Sequence, residues 1–444
     1  MNVCISPKKF TGTLLIPASK SHTIRQLLIA SLADGVSEIK SPLDSLDTQS
    51  CLAACRVFGA EINEQRCDGK ITSWKIKGNN GFKNFLSSSA NSAVSASLRE
   101  SLLVDIGNSG TTLYLALAAA ALQSDWIEFT GDEQIKKRSA SPLLDALLGL
   151  GIKCESNNGC APIKIKGPWK GGKVILPCST SQYLSALLIA SPLAPAGTVT
   201  EIEVPLLNEK PYIDMTLSYL KAHYIPYECE GYSRFIIPGG SSWKAVSCAV
   251  PADFSSAAFP AAAAAITGGP VTLQGLDPKD TQGDKYFFDM LKKMGCKVKW
   301  FDNNSVTVLR ENTLQGGEFD LNKTPDLLPA AAVTAAFAQG DTALVNVAHA
   351  RIKETDRITV MKQELAKLGV SCTELPDGLI IHGKGGLFPQ GSPASLPIIE
   401  GHGDHRIVMA FAAAALGSPV PIEITTAESA AVTYPGFLDL LKDS

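Results

Sequence analysis

The chain has 444 residues, with 40 Lys and Arg against 43 Asp and Glu and a net charge of −3. That length predicts two or three domains, and the near-balance of charge leaves no basic surplus for nucleic acid. The N-terminus, MNVCISPKKF, lacks the apolar core of a signal peptide, and the longest apolar runs, near 257–266 and 407–417, are Ala-rich and too short to span a bilayer. Eleven cysteines are scattered without a CxxC pair or a Cys/His cluster, so no metal site is expected. Cys51 and Cys55 lie one helical turn apart and read as buried thiols. A cytoplasmic protein with reduced thiols fits this usage.

In chain order, residues 1–16 read as a strand that stops at Pro17. The next stretch is PASKSHTIR (17–25). Ser19 stands where it can cap a helix that is apolar from Ile24 to Leu32, and Lys20, Ser21 and Arg25 fall in or beside its first turn. Free backbone N–H groups, the positive end of the helix dipole and two cations converge there, which makes an anion site. A solvated helix start would explain the same residues taken alone. Recurrence of the device along the chain favours the anion site.

The recurring unit is a short polar segment, an Ala/Leu-rich helix, a Gly or Pro break, a short strand and a second, amphipathic helix that usually ends in Gly. The first helices open at SKSHTIR, GNSGTT, STSQYL, DFSSAAF, TPDLLPAAA and GDHRIV. The copies begin roughly 70–90 residues apart, far longer than solenoid repeats. The first helix of each copy is apolar nearly all round and should be buried, and the second has a polar face. Gly59, Gly151, Gly295 and Gly369 stand where a left-handed C-cap requires no Cβ. Strands follow the second helices, several pairing as hairpins through Gly, Asn and Asp turns. The Ser-rich stretch LSSSANSAVSAS (86–97) reads as an exposed loop.

Six copies divide most simply into two domains of three. One lobe is expected over 20–250 and the other over 1–19 with 251–444. A strand within 1–16 could pair in the second lobe, so that the segments near 17–20 and 249–252 form two crossovers side by side, a hinge beside a cleft that closes on ligand. Three parallel buried helices per lobe would gather their N-termini at one end. In the first lobe these ends carry Lys20-Ser21, Asn108-Ser109-Gly110-Thr111 and Thr180-Ser181-Gln182. In the second they carry Asp253-Ser255-Ser256, Asp326 and Asp404-His405-Arg406. Asp253 reads as an ordinary N-cap. GNSGTT (107–112) is like a phosphate loop but lacks the Lys of a Walker A sequence. KETDR (353–357) packs two cations and two carboxylates before an amphipathic helix, and KKR (136–138) holds the matching place in the second copy. Basic segments in both lobes predict an anionic ligand.

The segments PASKSHTIR, GNSGTT, TGDEQIKKRS, STSQYLSALL, KPYIDMTL, ADFSSAAF, TPDLLPAAA, RIKETDR and GDHRIVMAFA resemble, in this order, the signatures of the 5-enolpyruvylshikimate-3-phosphate synthase family. The resemblance covers essentially the whole chain, with an insertion near 80–100. It implies an α/β fold of two pseudo-threefold domains, each of three βαβαββ units, an inside-out α/β barrel. It implies transfer of the enolpyruvyl group of phosphoenolpyruvate to the 5-hydroxyl of shikimate 3-phosphate, with release of phosphate and through a tetrahedral intermediate. No metal or organic cofactor is implied, nor any nucleic-acid or membrane partner, and family members are most often monomers.

By the same resemblance, Lys20, Ser21, Arg25, Thr180, Ser181, Gln182, Tyr212, Asp326 and Lys353 bind shikimate 3-phosphate. Lys20, Asn108, Gly110, Arg138, Gln182, Arg357 and Arg406 bind phosphoenolpyruvate, and Gly110 lies where a side chain would crowd it. Asp326, Glu354 and Lys20 are the implied catalytic residues. The chemistry requires such groups, because the hydroxyl must lose a proton as it attacks C2 and C3 must gain one.

The sequence departs from the family pattern at four places. Val432 replaces a Lys that contacts phosphoenolpyruvate, which bears on that substrate and on glyphosate. Glu209 replaces the Ser before KPYID, His349 replaces an Asn, and Tyr114 replaces an Arg after the GNSGTT loop. Transfer to a related cyclic acceptor, or a non-catalytic anion-binding paralogue, remain the alternatives. The sister enzyme acting on UDP-N-acetylglucosamine carries a Cys in a loop of its first domain, and GDEQIKKRSASP (131–142) has none.

Overall fold

Among the described residues, six mostly buried helices form the cores: Lys20–Leu32, Gly110–Ala120, Ser181–Ala190, Phe254–Thr267, Leu328–Ala336 and His405–Leu416. In the computed structural model, which describes residues 1–82, 102–388, 391, 393 and 395–443, every residue of Gly110–Ala120, Leu328–Ala336 and His405–Leu416 is buried. A helix without a polar face has no side to offer water, and small Ala side chains let its neighbours approach from all directions. The second helix of each copy behaves differently. Lys210–Ala222, for example, buries Ile213, Met215, Thr216 and Leu220 and leaves its remaining positions at or near the surface. Gly59, Gly151, Gly295 and Gly369 all have positive φ, at 88°, 87°, 103° and 74°, the left-handed conformation their positions after these helices require.

The chain forms two compact units, Lys20–Val250 and Met1–Ser19 with Pro251–Ser444. Among the described residues of Lys20–Val250 there are three four-stranded sheets of one pattern, in which a parallel pair is followed by an antiparallel hairpin. Leu102–Asp105 runs parallel to Ile127–Thr130, which pairs antiparallel with Cys160–Lys166 and through it with Lys153–Asn157. The first copy takes its opening strand from the far end of the unit. Ser247–Ala249 lies parallel to Val36–Lys40, with Ser247 opposite Glu38 and Ala249 opposite Lys40.

The other unit repeats the pattern, and its opening strand comes from the chain's beginning. Gly12–Leu15 pairs in parallel with Val271–Gln274. Among the described residues its last sheet has three strands, in which Val3–Ile5 pairs antiparallel with Ile422–Ile424, Val3 opposite Ile424. Residues from the N-terminus thus complete two different sheets of this unit. Its three buried helices, Phe254–Thr267, Leu328–Ala336 and His405–Leu416, all pack on one another. The architecture is therefore βαβαββ repeated, helices inside and sheets outside, which is the expected fold class.

The Ser-rich stretch 86–97 lies outside the described residues. Among the described residues no helix is long and apolar enough to cross a membrane, and no group of three or more His, Cys, Asp or Glu side chains is placed to hold a metal ion.

Candidate active site

In the unit that contains the C-terminus, three short polar segments deliver charged side chains to one place. Asp404 caps His405–Leu416, accepting from the Arg406 backbone N–H at 2.9 Å. Asp326 sits in the 3-10 turn Pro325–Leu327, ahead of Leu328–Ala336. Arg357 opens Arg357–Lys367, where Asp356 accepts from the Thr359 N–H. Asp253 caps Phe254–Thr267 through the N–H groups of Ser255 and Ser256, at 2.8 and 3.2 Å. It is therefore the N-cap its position predicts.

Arg357 is the hub of this cluster, with its side chain wholly buried. Its Nε donates to Asp404 Oδ2 at 2.8 Å and its Nη1 to Asp326 Oδ1 at 2.8 Å. Its Nη2 donates to Glu354 Oε2 and to Asp404 Oδ1. Arg406 takes the other oxygen of Asp326, Nη2 to Oδ2 at 3.0 Å, and donates through Nη1 to Ser255 Oγ. The Asp326 carboxylate, 19% exposed, therefore bridges two guanidinium groups.

The charges follow from this geometry. Burial opposes the ionisation of Asp326, but Arg406, Lys353 and Arg357 outweigh it and hold the carboxyl well below the usual range. Burial likewise opposes the charge on Arg357, and the carboxylates of Asp404, Glu354 and Asp326 more than restore it. Asp284 is buried nearby. Desolvation, with the charge of Asp326, pushes its carboxyl up to about 7 against the pull of Arg406 and of Ser255.

The unit Lys20–Val250 holds a second set of polar groups at its buried-helix starts. Lys20 Nζ pairs with Asp47 Oδ2 at 2.9 Å, both side chains nearly enclosed. Arg25 is buried and donates to Thr216 Oγ1 at 3.0 Å, Ser185 Oγ at 3.1 Å and the Ser21 carbonyl at 3.2 Å. Its guanidinium lies 6.0 Å from the Tyr212 ring centre. Desolvation lowers its pKa to about 10 against the charges of Tyr219, Tyr212 and Glu209. Gln182 Nε2 donates to Thr111 Oγ1 at 3.1 Å, which ties the second and third helix starts together. Arg138 Nη2 reaches Asn108 Oδ1 at 3.4 Å, and Asn108 Nδ2 donates to Gln134 Oε1 at 2.8 Å. A Cβ added to Gly110 would collide with the Arg138 guanidinium. Side-chain-free backbone at 110 is thus what allows Arg138 to lie against the helix start.

The structure places Asp326, Glu354, Arg357 and Arg406 in one cluster, with the charge of Lys353 acting on it. It joins Asn108, Gly110 and Arg138 in a second group, Thr111 with Gln182, and Arg25 with Ser21 and Tyr212. Thr180 and Ser181 form a further group with Glu209.

Three partners were not singled out from the sequence: Asp404 as the grip on Arg357, Asp47 beside Lys20, and Glu209 against Thr180 and Ser181. A cap residue two positions before an Arg marked Asp404, but its grip depends on the packing of the preceding repeat. Tyr114, at the position of a family Arg, donates its hydroxyl to the Ser139 carbonyl at 3.3 Å, beside Tyr183, which donates to the same carbonyl at 2.8 Å. It therefore supports the backbone that follows Arg138. His349 is buried, and Val432 is partly exposed at the end of the 3-10 segment Ala427–Val432.

Comparison with known proteins bears on these groups. The family model described as EPSP synthase (3-phosphoshikimate 1-carboxyvinyltransferase) matches residues 5–441. A protein of Acetivibrio thermocellus named 3-phosphoshikimate 1-carboxyvinyltransferase is 44% identical over 439 residues, which cover 98% of this chain and 96% of that protein. One of Ruminiclostridium cellulolyticum with the same name is 41% identical over 442 residues, covering 99% of this chain and 97% of its own. A solved structure of EPSP synthase from Acinetobacter baumannii matches with a TM-score of 0.77 and 28% identity, covering 99% of this chain and 97% of that one.

Proposed function

The chain belongs to the EPSP synthase (3-phosphoshikimate 1-carboxyvinyltransferase) family, and from that premise we propose how its own residues divide the work. It is an enzyme that transfers the enolpyruvyl group of phosphoenolpyruvate to the 5-hydroxyl of shikimate 3-phosphate, releasing phosphate, in the shikimate pathway to aromatic amino acids.

Shikimate 3-phosphate is held by Lys20, Ser21, Arg25, Thr180, Ser181, Gln182 and Tyr212, with Asp326 and Lys353 beside the ring. Phosphoenolpyruvate is held by Arg138, Arg357 and Arg406, with Lys20, Asn108, Gly110 and Gln182. Arginine suits this task because its planar fork meets carboxylate and phosphate bidentately. Asp326 takes the proton of the attacking 5-hydroxyl. Glu354 delivers a proton to C3, so that cationic character develops at C2 as the new C–O bond forms. The tetrahedral ketal phosphate then collapses. The C–O bond to phosphate breaks, C3 returns its proton to Glu354, and Lys20 and the arginines stabilise the leaving charge.

The observation that carries this assignment is the bridging of Arg357 between Asp326 and Glu354. One guanidinium holds both proton-transfer groups, so an anion that engages Arg357 acts on both at once. A carboxylate held as low as Asp326 is a weak base. Substrate anions that draw on Arg357 and Arg406 raise its proton affinity as they bind. A cytoplasmic location accompanies this reading, supported by eleven free thiols, which suit a reducing compartment, and a monomer is adopted as the family's usual state. Release of phosphate by purified protein from the two substrates tests the assignment, and no turnover at any substrate concentration would refute it.

A further inference from the structure

Glu209 stands immediately before KPYID (210–214), where the family pattern has Ser. Its side chain is buried, with 2% exposure for the residue, and its backbone is left-handed, with φ 58°. It does not cap the helix Lys210–Ala222 that follows it. The carboxylate reaches instead to the start of Ser181–Ala190. There Glu209 Oε2 accepts from the Ser181 N–H at 3.0 Å, from Ser181 Oγ at 2.8 Å and from Thr180 Oγ1 at 3.1 Å. One backbone donor at the positive end of a helix and two hydroxyls converge on a single anionic oxygen. The group that fills this anion seat is part of the protein.

Thr180 and Ser181 are two of the residues assigned above to shikimate 3-phosphate, and the inference rests on that assignment. The acceptor carries a phosphate whose terminal oxygens match such converging donors. Donors engaged by Glu209 cannot at the same time serve a phosphate, and two anions at one seat repel. Ser at this position would add a donor where Glu adds a charge. We propose that Glu209 is an internal competitor for the phosphate of the acceptor, and that it sets how tightly this enzyme holds shikimate 3-phosphate. The acceptor phosphate takes the seat only as the Glu209 carboxylate withdraws. Binding of shikimate without its phosphate makes no such demand, and neither does phosphoenolpyruvate.

The test compares the full-length enzyme with Glu209→Ser and Glu209→Gln. Equilibrium titration with shikimate 3-phosphate and with unphosphorylated shikimate is combined with steady-state phosphate release. Glu209→Ser is expected to bind shikimate 3-phosphate at least about tenfold tighter, with a matching fall in its KM. Shikimate affinity and the KM for phosphoenolpyruvate should stay within about twofold. Glu209→Gln removes the charge and keeps the bulk, so it should tighten binding by a smaller factor. It also preserves the test if the Ser variant fails to fold. Unchanged or weaker binding of shikimate 3-phosphate in the folded variants overturns the proposal, as does an equal gain for shikimate. Were all three proteins, the wild type included, to release no phosphate, the assigned function itself would fail. Normal wild-type turnover with unchanged KM values in the variants would sink only the role of Glu209.

Discussion

Asp404 grips Arg357 along one edge of its guanidinium, accepting from Nε at 2.8 Å and from Nη2 at 3.2 Å, with both side chains fully buried. The same carboxylate caps the helix that carries Arg406. One residue therefore aims one arginine and starts the helix that presents the other. Removing one partner of a buried pair leaves the other charge uncompensated, at a cost of about 3–5 kcal/mol. Asp404→Asn keeps the cap and loses the charge. Because Asp326 and Glu354 stay on Arg357, it is expected to destabilise the protein in urea unfolding by less than about 3 kcal/mol, and to raise the KM for phosphoenolpyruvate more than that for the acceptor. Equal KM values in variant and wild type would mean that Arg357 is aimed without Asp404.

Glu354 shares Arg357 with Asp326 but is assigned the opposite proton transfer. Glu354→Ala is expected to lower kcat by about 10²-fold or more, the ordinary worth of a positioned acid–base group. Both substrates should still bind in equilibrium titration. An alanine variant with a near-normal rate would remove Glu354 from the mechanism.

At Gly110 the prediction separates binding from stability. A methyl group there meets the end of the Arg138 side chain, which can move aside and so loses its place. Gly110 is the first residue of its helix, so alanine there gains only part of the about 1 kcal/mol by which it is preferred over glycine in a helix interior. Gly110→Ala should keep or raise the melting temperature while raising the KM for phosphoenolpyruvate about tenfold. A fall in melting temperature without a change in KM would contradict this.

Asp284 supplies a pH dependence with a definite sign. Burial and the neighbouring charge of Asp326 raise its carboxyl from 3.8 to about 7 in the folded protein. Between those values the native state holds a proton that the unfolded chain has released. Its contribution to stability is complete below about pH 4 and is lost as pH rises through about 7. Asp284→Asn has no proton to lose. The stability of the variant relative to wild type, read from urea midpoints, should therefore improve as pH rises from about 5 to about 8. A difference that is flat with pH would show that Asp284 titrates as an ordinary carboxyl.

Much of the fold was readable along the chain because its signals are local. Ala-rich stretches such as 257–266 have no polar face and had to be buried. The positive φ of Gly59 and Gly295, and the cap formed by Asp253, depend only on neighbours within one turn. The polar start of the first buried helix was also legible, with Lys20, Ser21 and Arg25 all on Lys20–Leu32.

By itself the sequence determined the repeat, the helix starts and the kinds of group gathered there. Only the tertiary structure decided which charge meets which. Residues 326, 354, 357, 404 and 406 converge only when two successive repeats pack, and no periodicity encodes that. The same is true of Glu209, which the chain places before one helix and the fold turns toward the start of another. Backbone signals act over a few residues, whereas buried ions take whichever partner the packed repeats bring within hydrogen-bonding distance.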